Sequence, residues 1–303
     1  MGLLVNGEWV DEWYDTKKSK GHFVRESSRF RHQLGPDKFP IEANRYHLFI
    51  SHACPWAHRT NIFRHLKQLT DIISMSVVDP LMKEHGWIFK NTEDSIINVN
   101  YLHQLYTTAD SSYTGRVTVP VLWDKKTNMI VNNESSEIIR MFNTLFNDLT
   151  GNNLDFYPEN LRSEIDEINE FVYHNVNNGV YKVGFSTSQE VYESELKKLF
   201  NALDELDNRL DKTQYLVGST LTEADWRLFT TLIRFDAVYV GHFKCNIRQI
   251  RDYKNLNRLV HELYEYPDVK GTINFDHIKT HYYASHTMIN PTGIIPSGPL
   301  LPF

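Results

Sequence analysis

Cysteine is scarce in this sequence: 303 residues hold only two, Cys54 and Cys245. A small secreted fold stapled by disulfides needs more, so the pair points to a reducing cytosol. Long apolar runs are missing too, and nothing approaches the roughly 18 consecutive apolar residues that span a membrane. Positive charge is not in excess: 32 Lys+Arg stand against 38 Asp+Glu, for a formal net charge of -6. That balance removes the electrostatic case for nucleic acid or an anionic lipid surface as a partner. No block of like charges reads as a binding tail, and there is no internal repeat or low-complexity tract. The opening "MGLLVNGEWVDEWYD" has no basic n-region or long h-region, so no signal peptide is expected. Position 6 is neither Ser nor Thr, which fails the myristoylation pattern. Asn133-Glu134-Ser135 fits a glycosylation sequon, but a cytosolic location makes the match a coincidence.

Hydrophobic residues make up 41% of the chain and charged residues 23%, enough for a substantial core. The length suits one large domain or two ordinary ones, and the pattern favours two. After an extension over 1–44, the segment 45–150 alternates strand and helix. "RYHLFIS" (45–51) and "IISMSVV" (72–78) read as strands, with a helix between them carrying Ile62, Phe63, Leu66 and Leu69 on one face. "VTVPVLWD" (117–124) and "MIV" (129–131) read as a hairpin across "DKKTN". A last helix, "ESSEIIRMFNTLFNDL", aligns Ile138, Ile139, Phe142, Phe146 and Leu149. The interval 80–116 is long enough to hold further local structure. From 158 to 290 the strand signals fade, and 159–178, 188–211, 223–239 and 254–265 read as helices. Thr222 and Asp225 in "LTEADW" form an Asp variant of the capping box. A Pro- and Gly-rich tail follows over 291–303. The fold class is therefore an α/β half followed by an all-α half.

Cys54 sits where the first strand hands over to the first helix, and Pro55 suits the first helical position. The cysteine is then the N-cap, facing free amides and the positive end of the helix dipole. Such placement lowers a thiol from about 8.5 to roughly 3.5–7.5. An inert buried cysteine is the competing reading. A zinc site from His52, Cys54 and His58 matches no common spacing, so no metal is expected. Where many thiol enzymes carry a second cysteine three places on, this chain has Ala57. A mixed disulfide on Cys54 must then be resolved by an external thiol, which in a cytosol means glutathione. Pro120 inside a strand pattern suits an edge, a bulge or a cis bond. A cis Val119-Pro120 bond would offer the Val119 backbone to an extended peptide. Glu134 and Ser135 open the next helix, where they suit the ammonium and carboxylate of a γ-glutamyl group.

"CPWAHR", "RVTVPVLWDKK", "NESSEIIRMFN", "NNGVYK", "LTEADWRL", "HFKC", "NFDHIK" and "NPTGIIPSGP" together resemble the glutathionyl-hydroquinone reductases, the Xi class of glutathione transferases. The resemblance runs over nearly the whole chain. It implies a thioredoxin-like glutathione-binding domain, an all-helical domain carrying the hydroquinone pocket, and a homodimer. It also implies a reaction, in which Cys54 takes glutathione from a glutathionyl-hydroquinone and a second glutathione frees the cysteine as oxidised glutathione. The family's glutathione contacts fall on Trp87, Arg116, Val119, Glu134 and Ser135. Its three pocket tyrosines fall on Tyr181, Tyr239 and Tyr282, with Tyr283 beside the last as the alternative. Cys245 reads as structural. Rival functions are an Omega-like thioltransferase or dehydroascorbate reductase using the same cysteine, and a non-catalytic interaction module of the glutathione-transferase type.

Overall fold

Asn-Gly is the strongest short hairpin signal, and the chain folds back at Asn6-Gly7. There β1 (Leu3–Val5) pairs antiparallel with β2 (Glu8–Val10). Both turn residues take positive φ, 50° at Asn6 and 83° at Gly7, as a type I′ turn demands. Gly7 is required for a second reason, because a Cβ there would fall 2.1 Å from the Ser111 carbonyl oxygen.

The structure, a computed structural model, describes residues 2–90 and 98–300. It divides into two compact units. The first comprises Met1–Trp13, Glu26–Leu154 and Gly271–His281. At its centre lies β3 (Tyr46–Ile50), every residue of which is buried, as expected of a strand covered on both faces. The chain leaves β3 through α1 (Pro55–Leu66) and returns as β4 (Ser74–Val77), parallel to β3 with His47 opposite Ser74. Then come α2 (Leu102–Ala109) and β5 (Gly115–Arg116), which joins β1 to complete a small β2-β1-β5 sheet. Part of the 80–116 interval, residues 91–97, lies outside the described residues. β6 (Val121–Asp124) runs antiparallel on the other side of β3 and hairpins into β7 (Met129–Asn132), giving the order β4-β3-β6-β7. The expected strand from 117 begins only at Val121, beyond Pro120, which has no N–H to give a ladder. Arg45 clamps Asp124 through two bonds of 2.9 and 2.7 Å, a buried bidentate pair.

The helix expected through residue 149 stops earlier, as α3 (Ser135–Thr144) followed by the single turn α4 (Asn147–Thr150). Ile138, Ile139, Phe142 and Phe146 are buried as their spacing requires, but Leu149 is exposed.

The second unit comprises Tyr14–Arg25, Asp155–Lys270 and Tyr282–Phe303. Its helices are α5 (Arg162–Val172), α6 (Gly179–Gly184), α7 (Gln189–Leu210), α8 (Glu223–Arg234) and α9 (Lys254–Tyr264). One turn of π-helix follows α5 over Tyr173–Asn177, and another follows α8 over Phe235–Tyr239. Each puts an extra residue into the hydrogen-bond ladder where the sequence pattern promised plain α-helix, a device common near functional sites. α8 opens on the expected reciprocal cap: Asp225 accepts the Thr222 amide at 2.9 Å. The other Asp225 oxygen accepts the Leu216 amide at 2.8 Å. Complete burial pushes this carboxyl up to about 6 despite those bonds.

Two segments pack differently from the sequence expectation. Gly271–His281, including the first part of α10 (Phe275–Ser285), belongs to the α/β unit rather than to the helical half. His58 bonds Thr272 at 2.8 Å and His281 bonds the Pro80 carbonyl at 3.0 Å, which explains the attachment. The 1–44 extension is likewise shared out. Its Tyr14–Arg25 stretch joins the helical unit, where Phe23 packs on Phe185 and the Gly21 carbonyl accepts the Thr187 amide. No helix among the described residues is long and apolar enough to cross a membrane.

Candidate active site

Cys54 is the N-cap of α1, with extended φ and ψ of -77° and 121° and Pro55 at the first helical position. The Ala57 N–H points at Sγ from 3.5 Å, and the Val119 carbonyl oxygen stands at the same distance on another side. The sulfur is half-buried. An amide donor and a helix N-terminus both favour negative charge on sulfur, while partial exposure leaves it open to attack a substrate. The Val119-Pro120 peptide bond is cis. The three basic residues near Cys54 in sequence have contacts of their own. His58 bonds Thr272, Arg59 lies over the Trp56 ring at 4.6 Å, and His52 meets His277 edge-on at 5.4 Å. Among the described residues no group of three or more His, Cys, Asp or Glu is placed to hold a metal ion.

At the start of α3, Glu134 is the N-cap rather than the first helical residue. Its carboxylate accepts the Ser136 amide at 3.1 Å and the Ser28 hydroxyl at 3.2 Å. Ser135 follows at the first helical position. Its hydroxyl is buried and, among the described residues, finds no hydrogen-bond partner. A buried unpaired hydroxyl at the positive end of a helix is a prepared place for a carboxylate. Trp87 and Arg116 each make a contact within the same unit. The Trp87 ring stacks on His281 at 4.7 Å, and Arg116 in β5 donates to the Glu12 carbonyl. Val119, one of the glutathione-site residues expected from the sequence, is in direct contact with Cys54.

In the helical unit the three expected tyrosines meet through their hydroxyls. Tyr181 and Tyr282 are 2.7 Å apart, oxygen to oxygen, and Tyr239 and Tyr282 are 3.1 Å apart. Tyr181 comes from α6, just past one π turn, and Tyr239 ends the other; Tyr282 comes from α10. Burial pushes the Tyr239 and Tyr282 phenols well above their ordinary value of 10.0, so both are neutral proton carriers near pH 7. The adjacent Tyr283 instead sets its ring against His242 at 5.0 Å. Phe243 stacks on Tyr239 at 5.5 Å and Phe185 borders Tyr181 at 6.0 Å, so the hydroxyls are walled by aromatic faces.

Several neighbours of these residues carry no signal in the sequence. Ser28 reaches Glu134 across 106 positions and Arg25 reaches Asn178 across 153. A buried pair, His242 and His286, bonded at 3.1 Å, lies beside Tyr282.

Comparison with known proteins bears on both units. Residues 53–145 match the glutathione S-transferase N-terminal domain family, and residues 189–261 match the glutathione S-transferase C-terminal domain family. The glutathionyl-hydroquinone reductase PcpF of Sphingobium chlorophenolicum is 54% identical over 306 residues, spanning 100% of this chain and 97% of the relative. The crystal structure of the glutathione transferase Xi of Phanerochaete chrysosporium superposes with a TM-score of 0.91 at 52% identity, covering 93% of this chain and 94% of its own. The glutathione-bound structure of YqjG, a glutathione transferase homologue of Escherichia coli, also gives 0.91, at 48% identity and with 99% and 96% covered.

Proposed function

Since the chain belongs to the Xi-class glutathione transferases, the glutathionyl-hydroquinone reductases, we propose that it reduces glutathionyl-hydroquinones to hydroquinones, with glutathione as the reductant. The observation that carries this reading is the Cys54 sulfur at a helix N-cap, bonded by the Ala57 amide, in a chain with no cysteine three places on.

In the first step the Cys54 thiolate attacks the glutathione sulfur of the conjugate. An S–S bond forms, the bond from sulfur to the ring breaks, and the ring carbon keeps the electron pair and takes up a proton. Hydroquinone leaves and Cys54 holds a mixed disulfide. In the second step a glutathione thiolate attacks that disulfide, so oxidised glutathione leaves and the Cys54 thiolate returns. Ala57 matters here, because no internal thiol competes with the incoming glutathione. The buried Ser135 hydroxyl, at the positive end of α3, takes the γ-glutamyl carboxylate, and the Glu134 carboxylate takes its ammonium. The Val119 backbone, Trp87 and Arg116 line the rest of the glutathione site in this reading. The phenol hydroxyls of Tyr181, Tyr239 and Tyr282 hydrogen-bond the hydroquinone and supply the proton that its carbon needs. A cytosolic homodimer completes the reading, and sedimentation at micromolar concentration checks the oligomer.

The deciding assay sets a glutathionyl-hydroquinone beside a standard conjugation electrophile. Reduction of the first with little conjugation of the second is the expected result. Efficient conjugation with no reduction would refute the reading.

A further inference from the structure

Arg25 belongs to the stretch Tyr14–Arg25, which the fold assigns to the helical unit. Its guanidinium carbon stands 5.0 Å from the centroid of the Tyr181 ring and 5.5 Å from that of Phe23. The group is held there by a 2.9 Å bond from Nε to the Asn178 side-chain oxygen. Asn178 is buried in the turn that opens α6, and its own carbonyl accepts the Tyr181 amide at 3.1 Å. Cation and tyrosine are therefore tied to the same turn. Phe23 beside them is buried, so part of the guanidinium's surroundings is apolar and its field at the ring is less screened than in water.

We propose that Arg25 is a positioning residue for the hydroquinone step, holding a positive charge over Tyr181 so that the tyrosine cluster binds the departing ring more tightly as charge develops on it. The inference rests on the tyrosine role stated under the proposed function. As Cys54 takes the glutathionyl sulfur, the pair from the broken S–C bond stays on the ring until a proton arrives. The ring and its oxygens are most negative at that moment. A cation on the Tyr181 face stabilises negative charge drawn toward the phenol oxygen, which makes its O–H a stronger donor when that charge peaks. The second step involves no hydroquinone and so does not feel Arg25.

The test uses the full-length protein, with glutathionyl-benzohydroquinone as the probe and rates counted per titrated Cys54 thiol, so that an unfolded fraction is not scored as slow enzyme. Arg25→Met is expected to lower kcat about tenfold with KM changed less than about twofold, and Arg25→Lys to recover most of that loss. Release of a preformed Cys54–glutathione disulfide by glutathione should keep its wild-type rate in Arg25→Met. Adding Arg25→Met to Tyr181→Phe should cost nothing further. The proposal is overturned by a wild-type kcat in Arg25→Met, by equal slowing of disulfide release, or by a full tenfold loss on top of Tyr181→Phe. If Tyr181→Phe alone runs at the wild-type rate, the tyrosine reading fails. If it is slow while Arg25→Met is normal, only the role of Arg25 fails.

Discussion

The chain's two cysteines occupy opposite environments. Cys54 is half-buried at a helix N-terminus, with an amide N–H on its sulfur. Cys245 is fully buried, its sulfur 4.0 Å from the Phe243 carbonyl oxygen, and burial pushes its thiol far up. A thiolate is stabilised at the first site and penalised at the second. Redox chemistry is therefore decided by the backbone that presents the side chain rather than by the side chain itself. The pair also explains why one thiol is enough. A resolving cysteine must reach a thiolate state, and the surroundings of Cys245 oppose that state.

The sharpest way to break the contrast is to exchange each sulfur for oxygen. Cys54→Ser should lower reduction of a glutathionyl-hydroquinone by about a thousandfold or more while the protein stays folded. Cys245→Ser should keep turnover within about twofold, yet lower stability by about 1–3 kcal/mol, since a hydroxyl there is poorly paired. A dead Cys245→Ser that remains folded would reverse the assignment. Tyr282→Phe comes next. It removes the hydroxyl that bonds both other tyrosines and should slow hydroquinone release about a hundredfold. A stopped-flow trace showing normal release in that variant would detach the tyrosine cluster from the chemistry. Ser135→Ala should raise KM for glutathione about tenfold, with kcat little changed, as expected for a lost hydrogen bond to a charged group. Unchanged saturation by glutathione would move the carboxylate site elsewhere.

The last effect concerns stability rather than turnover. His47 is buried between the Ser74 and Ser76 hydroxyls, and burial lowers its pKa from 6.5 to about 3. The unfolded chain binds that proton more readily, so native stability should be full above pH 6.5 and fall as pH drops toward 3. At about 1.4 kcal/mol for each pH unit across that window, the loss is bounded near 5 kcal/mol. His47→Gln should flatten this part of the denaturation curve. An identical acid limb in the variant would assign it to other groups.

How much of this could be read from the sequence depended on the range of each interaction. Cys54-Pro55 and Thr222-Asp225 declare their caps within three residues, and both helices begin where those residues place them. The Asn6-Gly7 hairpin is equally local, but its strands of three residues are too short to show alternation. The π turns after α5 and α8 differ from α-helix by one residue of register, below what apolar spacing resolves. Arg25 on Asn178 and Tyr181, and Gly271–His281 in the α/β unit, depend on contacts over more than a hundred positions. No periodicity carries such contacts. The three tyrosines stand out only by the family resemblance, since a chain with 16 tyrosines offers no local feature that marks these. The meeting of their hydroxyls is a fact of the fold alone.

The central claim, that one unassisted thiol carries glutathione between two partners, is tested most directly by mass spectrometry of the intact protein. The sample is taken after a single turnover with a glutathionyl-hydroquinone and no added glutathione. One glutathione on Cys54 and none on Cys245, removed when glutathione is supplied, is the expected result. An adduct on Cys245, or hydroquinone released with no adduct at all, would contradict it.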